Sequence, residues 1–223
     1  MVETPSGLME SDIRNAAEAI LRAEREGEAM PPLSGQHAGF SLDDAYRVQD
    51  LLTTIRQQQG VTLAGYKIGL TWRTTQIACD LDAPIHGRIL RHAVHQSGAS
   101  LPARRLVKPH VEVELAFIMS RDVDRPIENL DALLAATDCI VPALELVDHR
   151  MAPPRIVADT VADNSAFAGV IIPTDVILAK LGLECGFNDA EILVTRHLTV
   201  APQQRNKLAT LEDTMRESVV VLS

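Results

Sequence analysis

The spacing of apolar residues predicts two helices at the start of the chain. Over residues 11–26, apolar side chains recur every three or four positions, as on the buried face of an amphipathic helix. A second pattern begins at Ser41, which has Asp44 three residues later in a near-capping-box arrangement, and it ends at Gly60. We therefore expect residues 1–60 to form a helical N-terminal region.

Strands are predicted in the middle of the chain. Shorter apolar runs and alternations lie at residues 62–70, 111–119, 139–147 and 169–172, with a helical pattern at 129–137. Helices followed by strands, with few helices between them, favour an α+β (mixed α/β) fold over a regular β-α-β repeat. Residues 61–172 are thus predicted to form one strand-rich region.

The composition changes in residues 173–223. No glycine occurs after Gly186, and the final stretch 201–223 is polar until the apolar run Val219–Leu222 at its end. A strand-rich domain normally needs turn residues, so this tail is not predicted to continue the region before it.

Composition and charge narrow the class of protein. The chain is 46% hydrophobic and 23% charged, as in soluble globular proteins, and its net charge is −9. The acidic charge disfavours binding to nucleic acid or to anionic membranes. The N-terminus has no signal-peptide pattern, and no apolar run approaches the roughly 18 residues of a membrane span. The three cysteines match no zinc or disulfide pattern, which favours a cytoplasmic protein.

A pair of glutamates is the sharpest chemical signal. In the predicted strand VEVELAF, alternation places Glu112 and Glu114 on one face and the apolar residues on the other, which we expect to be the core face. Two neighbouring carboxylates repel one another unless a cation lies between them, and Mg²⁺ prefers such oxygen ligands. The alternative is a half-exposed strand with two solvated glutamates.

Glu145 is a third candidate ligand. It interrupts the apolar run 140–148, which we expect to be a strand buried on both faces. A glutamate there is costly unless it is paired or coordinated, so it completes a possible Mg²⁺ or Mn²⁺ site with Glu112 and Glu114. The alternative is a structural ion pair with Arg150 or another base.

Lys67 is the candidate acid–base group. By alternation it shares a strand face with Gly65 and Gly69, whose missing side chains leave room for a small ligand. A partly buried lysine can exchange protons near neutral pH, whereas the alternative is a lysine on an exposed edge strand. Asp163 and Asn164 in DNSAFAG either line a site or form a turn.

Several motifs, taken in order, carry a resemblance to a known family. They are GYKIGLT at 65–71, Gln76, P-x-x-G at 84–87, KPHVEVELAF at 108–117, ATDCIVPALELVDHR at 136–150 and VADNSAFAGV at 161–170. Together they resemble the 2-oxopent-4-enoate hydratase and 4-oxalocrotonate decarboxylase group of the fumarylacetoacetate hydrolase superfamily, and most of all its 2-oxo-hept-4-ene-1,7-dioate hydratases. The resemblance covers roughly residues 10–172.

The resemblance implies a function as well as a fold. It implies a mixed β-roll with a helical N-terminal part, in which residues 61–172 are the catalytic region. It implies a homo-oligomeric hydro-lyase that hydrates a small 2-oxo-enoic or 2-hydroxy-dienoic acid in meta-cleavage catabolism of aromatic compounds, with a related decarboxylase or hydratase as a candidate partner. Glu112, Glu114 and Glu145 would hold Mg²⁺ or Mn²⁺, and Lys67 would be the catalytic acid–base group. The candidate substrate-binding residues are Thr71, Gln76, Asp148 and Asn164.

Departures from the family pattern keep alternatives open. Ile85 stands where the family often has an acidic residue after the proline, His86 stands where an aromatic residue is usual, and Trp72 places a bulky side chain near the pocket. Residues 173–223 lack the glycine-rich strands that normally close the roll, which suggests divergence or a shifted reading frame. The alternatives are therefore a decarboxylase of the 4-oxalocrotonate type and a non-catalytic truncated homologue.

We predict that residues 173–223 do not close the roll well and are cleaved first in limited proteolysis. Each buried, unpaired backbone group costs about 1–3 kcal/mol, against a total stability of about 5–15 kcal/mol. Docking of Val219–Leu222 over the exposed sheet, or pairing with another chain, would offset part of that cost. Time-resolved proteolysis read by mass spectrometry checks this. A monomer with a sharp melt and a protease-resistant tail would contradict it.

Overall fold

The computed structural model describes residues 7–101 and 103–172 and the backbone of residues 219–222. Six helices and seven strands follow in chain order: α1 Glu10–Glu26, α2 Leu33–Gln36, α3 Leu42–Gln58, β1 Leu63–Gly69, α4 Arg73–Ala78, β2 Ile85–Leu90, β3 Val94–Gln96, β4 Pro109–Met119, α5 Leu130–Ala136, β5 Thr137–Asp148, α6 Val157–Ala162, β6 Phe167–Ile172 and β7 Val219–Leu222. None of the helices in these ranges is long and apolar enough to cross a membrane.

Helices α1 and α3 form where the sequence predicts helices, and they pack against one another, while α3 also packs against α6. Ile20 and Leu52 are fully buried in the core that these helices share. Helix α1 ends at Gly27, whose φ of 69° requires the left-handed conformation that glycine adopts without strain. At the start of α3, Ser41 and Asp44 exchange hydrogen bonds in a complete capping box, as the sequence predicts.

The strands form one mixed sheet in the order β2-β1-β7-β4-β5-β6-β3. Strands β4 and β5 pair antiparallel along their whole length, and this pairing places Glu112 directly opposite Glu145. Strands β2 and β3 were not predicted from the sequence. In β2 the inward positions are Ile85, Gly87 and Ile89, so a glycine hides the alternation of apolar residues that would have marked the strand.

The sheet curls on itself. Strands β1 and β5 are three steps apart in the sheet, which corresponds to about 14 Å when a sheet is flat. Yet Nζ of Lys67 on β1 lies 2.6 Å from Oε1 of Glu145 on β5. The sheet must therefore bend until these two strands face one another, which confirms the predicted mixed α and β roll.

The curl reverses the expected core face of β4. Val111, Val113 and Leu115 are 57%, 76% and 53% exposed, so the expectation that this face is the core is wrong. The glutamate face turns to the inside of the roll instead. The expectation that β5 is buried on both faces is also wrong, because Ile140 and Leu144 are 45% and 39% exposed.

The end of the tail forms a strand of the sheet. Strand β7 pairs antiparallel with β1 and parallel with β4, so it fills the place between them. Residues 173–218 and residue 223 lie outside the described part of the chain. The expected division into regions 1–60, 61–172 and 173–223, and the expected poor closure by the tail, therefore stay predictions.

A buried ion pair lies between β5 and β6 and approaches helix α1. Nε of Arg150 lies 2.8 Å from Oδ1 of Asp163, and the Arg150 guanidinium donates to the carbonyl of Phe167 at 2.6 Å. Arg150 also lies near Glu24 of α1, which pairs with Arg56 of α3. Both Arg150 and Asp163 are almost fully buried, so neither charge can be solvated by water if its partner is removed.

We predict that Arg150→Met lowers the free energy of unfolding by about 3–5 kcal/mol, because it leaves the buried Asp163 carboxylate without its cation. Adding Asp163→Asn to that variant removes the unpaired charge and should restore part of the loss. Urea unfolding followed by circular dichroism measures both effects. A loss below about 1 kcal/mol in the single variant would show that the buried pair contributes little to the stability of the fold.

Candidate active site

Three glutamates meet on the inner face of the roll. Glu112 and Glu114 lie two residues apart on β4, and Glu145 lies on the neighbouring strand β5. Each offers a carboxylate oxygen, and these oxygens lie within 4.8 Å of one another. Alternation along β4 and the pairing of β4 with β5 thus bring together the three residues that the sequence predicted as ligands.

The triad fits a divalent cation. Glu145 is fully buried, and its Oε2 accepts no hydrogen bond from the residues that the structure describes. Burial raises the pKa of Glu145, while Lys67 opposes the shift. Buried carboxylates at this spacing need positive charge beside them, and an all-oxygen set suits a hard cation. The group can therefore hold a divalent metal ion.

Lys67 is held by two acceptors. Its Nζ donates to Oε1 of Glu145 at 2.6 Å and to the carbonyl of Ser165 at 3.1 Å. Its side chain is buried, and Gly65 and Gly69 share its face as predicted. The alternative of an exposed lysine on an edge strand is wrong. An ammonium group carries three N–H donors, and these two contacts use two of them.

A strained turn presents the Ser165 carbonyl to Lys67. Asn164, Ser165 and Ala166 have φ of 51°, 51° and 57°, which is the left-handed region that residues with a Cβ rarely occupy. The Asn164 side chain accepts from the Arg88 amide at 2.7 Å and donates to the Arg88 carbonyl at 2.9 Å. These two hydrogen bonds fix the turn to β2 in the way that backbone pairing fixes a neighbouring strand.

Gly87 allows this close approach. A Cβ on Gly87 would lie 2.7 Å from the Asn164 carbonyl oxygen and 3.2 Å from Cγ of Lys67. Any side chain at this position would push the turn or the lysine aside. The glycine of the P-x-x-G motif is therefore explained by its contact with the lysine and the turn.

A cavity of about 450 Å³ opens beside these groups. Lys67 and Glu112 line it. Its size is typical of a site for a small molecule. Glu114 and Glu145 are not among the residues that line this cavity, and both are buried.

The four predicted substrate-binding residues lie outside this lining. Thr71 follows β1. Gln76 is buried in α4 and donates to the Leu70 carbonyl at 2.8 Å. Asp148 accepts from the amides of Val107 and Lys108 just before β4, and both polar groups of the Asn164 side chain contact the Arg88 backbone. For the last three, the hydrogen bonds point to roles in positioning the backbone.

Three polar residues that line the cavity were not predicted from the sequence, namely His149, Arg155 and Thr160. His149 stacks on His110, with ring centroids 5.6 Å apart, and Nε2 of His110 lies 3.1 Å from Oε1 of Glu112. The position of His149 directly after the predicted strand of Glu145 was an available signal. Arg155 and Thr160 lie in a loop and a short helix whose place only the tertiary fold sets.

The structure also shows where the residues that depart from the family pattern lie relative to the cavity. Ile85 lines the cavity, so an apolar side chain faces the site at that position. His86 lies outside the lining and stacks on Tyr46 with ring centroids 4.5 Å apart. Burial and the nearby Arg88 lower the pKa of His86. Trp72 is 50% exposed and lies outside the lining.

Comparison with solved structures identifies the fold. The 4-oxalocrotonate decarboxylase from Pseudomonas putida G7, complexed with magnesium and adipate, aligns with a TM-score of 0.69 at 23% identity. The alignment covers 74% of this chain and 63% of that chain. The class that the sheet and its helices define is therefore the fumarylacetoacetate-hydrolase-like fold.

Sequence comparison identifies the family. The chain is 36% identical over 163 residues to the 2-oxo-hept-4-ene-1,7-dioate hydratase of Escherichia coli, covering 70% of this chain and 61% of that protein. It is 32% identical over 157 residues to a 2-hydroxypent-2,4-dienoate hydratase of Pseudomonas putida, covering 69% of this chain and 70% of that protein. No protein-family model matches. The chain belongs to the family of 2-keto-4-pentenoate and 2-hydroxydienoate hydratases, and it spans about six tenths of the length of the first relative.

We predict that Gly87→Ala lowers the free energy of unfolding by about 1–3 kcal/mol, because the added methyl group overlaps the Asn164 carbonyl and crowds Lys67. Gly35→Ala is the matched control, since a Cβ there meets only Pro32 at an ordinary contact distance of 3.6 Å. Denaturant unfolding of both variants measures the difference. Equal stability of the two variants would show that the turn is not packed against Gly87 in solution.

Proposed function

We propose that this protein is a metal-dependent hydratase that adds water to a 2-oxo-enoic or 2-hydroxy-dienoic acid in the meta-cleavage catabolism of aromatic compounds. The observation that carries the proposal is the contact between Lys67 and the glutamate triad beside a cavity of small-molecule size. The relatives named above are hydratases of such acids, and they support the reaction class.

The ion that we propose is Mg²⁺ or Mn²⁺, held by Glu112, Glu114 and Glu145. Carboxylate oxygens are the ligands that these hard cations prefer, and the decarboxylase of similar fold was solved with magnesium. When bound, such a cation supplies a Lewis-acid positive charge that stabilises negative charge on the carboxylate and the 2-oxygen of a 2-oxo acid.

Lys67 moves the proton in this proposal. Glu145 and the Ser165 carbonyl fix its Nζ at the cavity wall. The 2-hydroxy-dienoic acid loses the proton of its 2-hydroxyl and gains one at C5, which gives a conjugated 2-oxo-3-ene. Water then adds its oxygen to C4 and a proton to C3, and the product is a 4-hydroxy-2-oxo acid. A positioned acid–base group of this kind contributes about 10²- to 10⁴-fold in rate.

Decarboxylation is the second candidate function. Ile85 lines the cavity at the position where the family often has an acidic residue, so the lining lacks a carboxylate there that could orient water. The fold shared with a 4-oxalocrotonate decarboxylase is in keeping with this alternative. Simultaneous measurement of substrate absorbance and released carbon dioxide separates the two reactions.

We also propose that the protein is cytoplasmic and assembles as a homo-oligomer, with a related decarboxylase or hydratase as a candidate partner enzyme. The support for assembly is the exposed apolar face of β4, where Val111, Val113 and Leu115 lie side by side along the strand. An apolar face of this kind is typical of surfaces that other protein segments cover.

We predict that Glu112→Ala combined with Glu114→Ala abolishes metal-dependent turnover, because the remaining glutamate cannot hold the ion alone. A panel of 2-oxo-enoic acids assayed with Mg²⁺ and with Mn²⁺ measures the loss. The matched control is Glu18→Ala with Glu26→Ala, which removes two exposed carboxylates of α1. Wild-type activity that needs no added metal, or an active Glu112/Glu114 double variant, would contradict the proposal.

A further inference from the structure

The cavity contains a cation that the proposed reaction does not use. Arg155 lines the cavity together with Lys67 and Glu112. Lys67 is already paired with Glu145, whereas Arg155 makes no hydrogen bond or ion pair with any residue in the described part of the chain. Arg155 is half-buried, and its guanidinium group stays charged at every physiological pH. Its place in the lining therefore suggests an anionic ligand.

The backbone on both sides of Arg155 is restrained. Pro153 and Pro154 precede it, and each proline ring fixes its own φ. The next amide, that of Ile156, donates to the buried side chain of Asp159 at 2.8 Å. Asp159 also accepts from the amide and hydroxyl of Ser34. A cation on a restrained segment loses little conformational entropy when it binds a ligand.

The rest of the lining suits a hydrocarbon chain. The apolar residues of the lining include Leu70, Ile85, Val147, Ile156 and Val157. The cavity therefore offers Glu112 of the proposed metal centre, an apolar wall and, besides Lys67, the positive charge of Arg155. A molecule that matches all three has two charged groups joined by an apolar stretch.

We propose that Arg155 binds the second carboxylate of a dicarboxylic 2-oxo-enoic acid and makes the protein selective for dicarboxylic over monocarboxylic substrates. This inference rests on the proposed function, because it assigns the first carboxylate to the metal centre. A guanidinium group matches a carboxylate with two parallel N–H···O bonds, which a methyl or methylene end cannot form. In a chain of net charge −9, a dianion also needs local positive charge to bind.

Binding of two unreactive ligands to the full chain with Mg²⁺ tests the inference. The ligands 2-oxoheptanedioate and 2-oxoheptanoate have the same carbon number and lack the double bond, and they differ only in the second carboxylate. We expect calorimetry to show tighter binding of the dicarboxylate to the wild-type chain by roughly 10- to 100-fold. Arg155→Gln should weaken the dicarboxylate by that factor and leave the monocarboxylate unchanged.

Two further variants control for charge and folding. Arg14→Gln removes the same charge from an exposed position on α1 and should change neither affinity. Arg155→Lys keeps the charge without the planar fork and should retain part of the preference. Thermal melts show whether a variant has lost its folded structure. If Arg155→Gln has, the ligand preference of Arg155→Lys decides whether Arg155 binds the second carboxylate.

The outcomes separate this inference from the proposed hydratase. Equal affinity of the wild-type chain for both ligands, binding of neither ligand, or an equal loss for both in Arg155→Gln overturns the role of Arg155. The dicarboxylate preference without turnover of unsaturated 2-oxo acids supports the role of Arg155 and counts against the hydratase. Turnover without any dicarboxylate preference supports the hydratase and overturns this inference.

Discussion

The contact between Lys67 and Glu145 is the interaction on which the site depends. It joins two strands that are three steps apart in the sheet, so it exists only because the sheet curls. The same curl turns Glu112 and Glu114 inward and leaves the apolar face of β4 exposed. A lysine ammonium beside buried carboxylates offsets part of their mutual repulsion before any ion is bound. The pair therefore ties β1 to β5 and sets the position of the proposed acid–base group.

The lysine is fixed from a second direction by the turn at residues 164–166. Three successive left-handed residues with side chains cost free energy, of order 1–3 kcal/mol each, and persist only where surrounding contacts enforce them. Here the Asn164 amide binds the Arg88 backbone, and Gly87 leaves the space that the turn occupies. Strain at this point has a physical reason, since it aims a backbone carbonyl at Lys67.

Much of the site was predictable from the sequence because it is encoded locally. Alternation alone places Glu112 and Glu114 on one strand face, and the cost of burying Glu145 marks it as paired or coordinated. What alternation cannot tell is which face of a strand is the inside, and the predicted core face of β4 was therefore wrong. Residues such as Arg155 were missed because their approach to the cavity depends on tertiary contacts between distant segments rather than on spacing.

The last strand connects the two halves of the site. In the sheet, β7 lies between β1, which carries Lys67, and β4, which carries Glu112 and Glu114. Its backbone register sets Val220 opposite Lys67 and Val219 opposite Leu115, one residue beyond Glu114. Because β7 pairs with both strands, it fixes the position of β4 relative to β1. Because the distance between Lys67 and the glutamates sets how far the ammonium offsets the repulsion among the carboxylates, the four residues of β7 bear on the geometry of the candidate site.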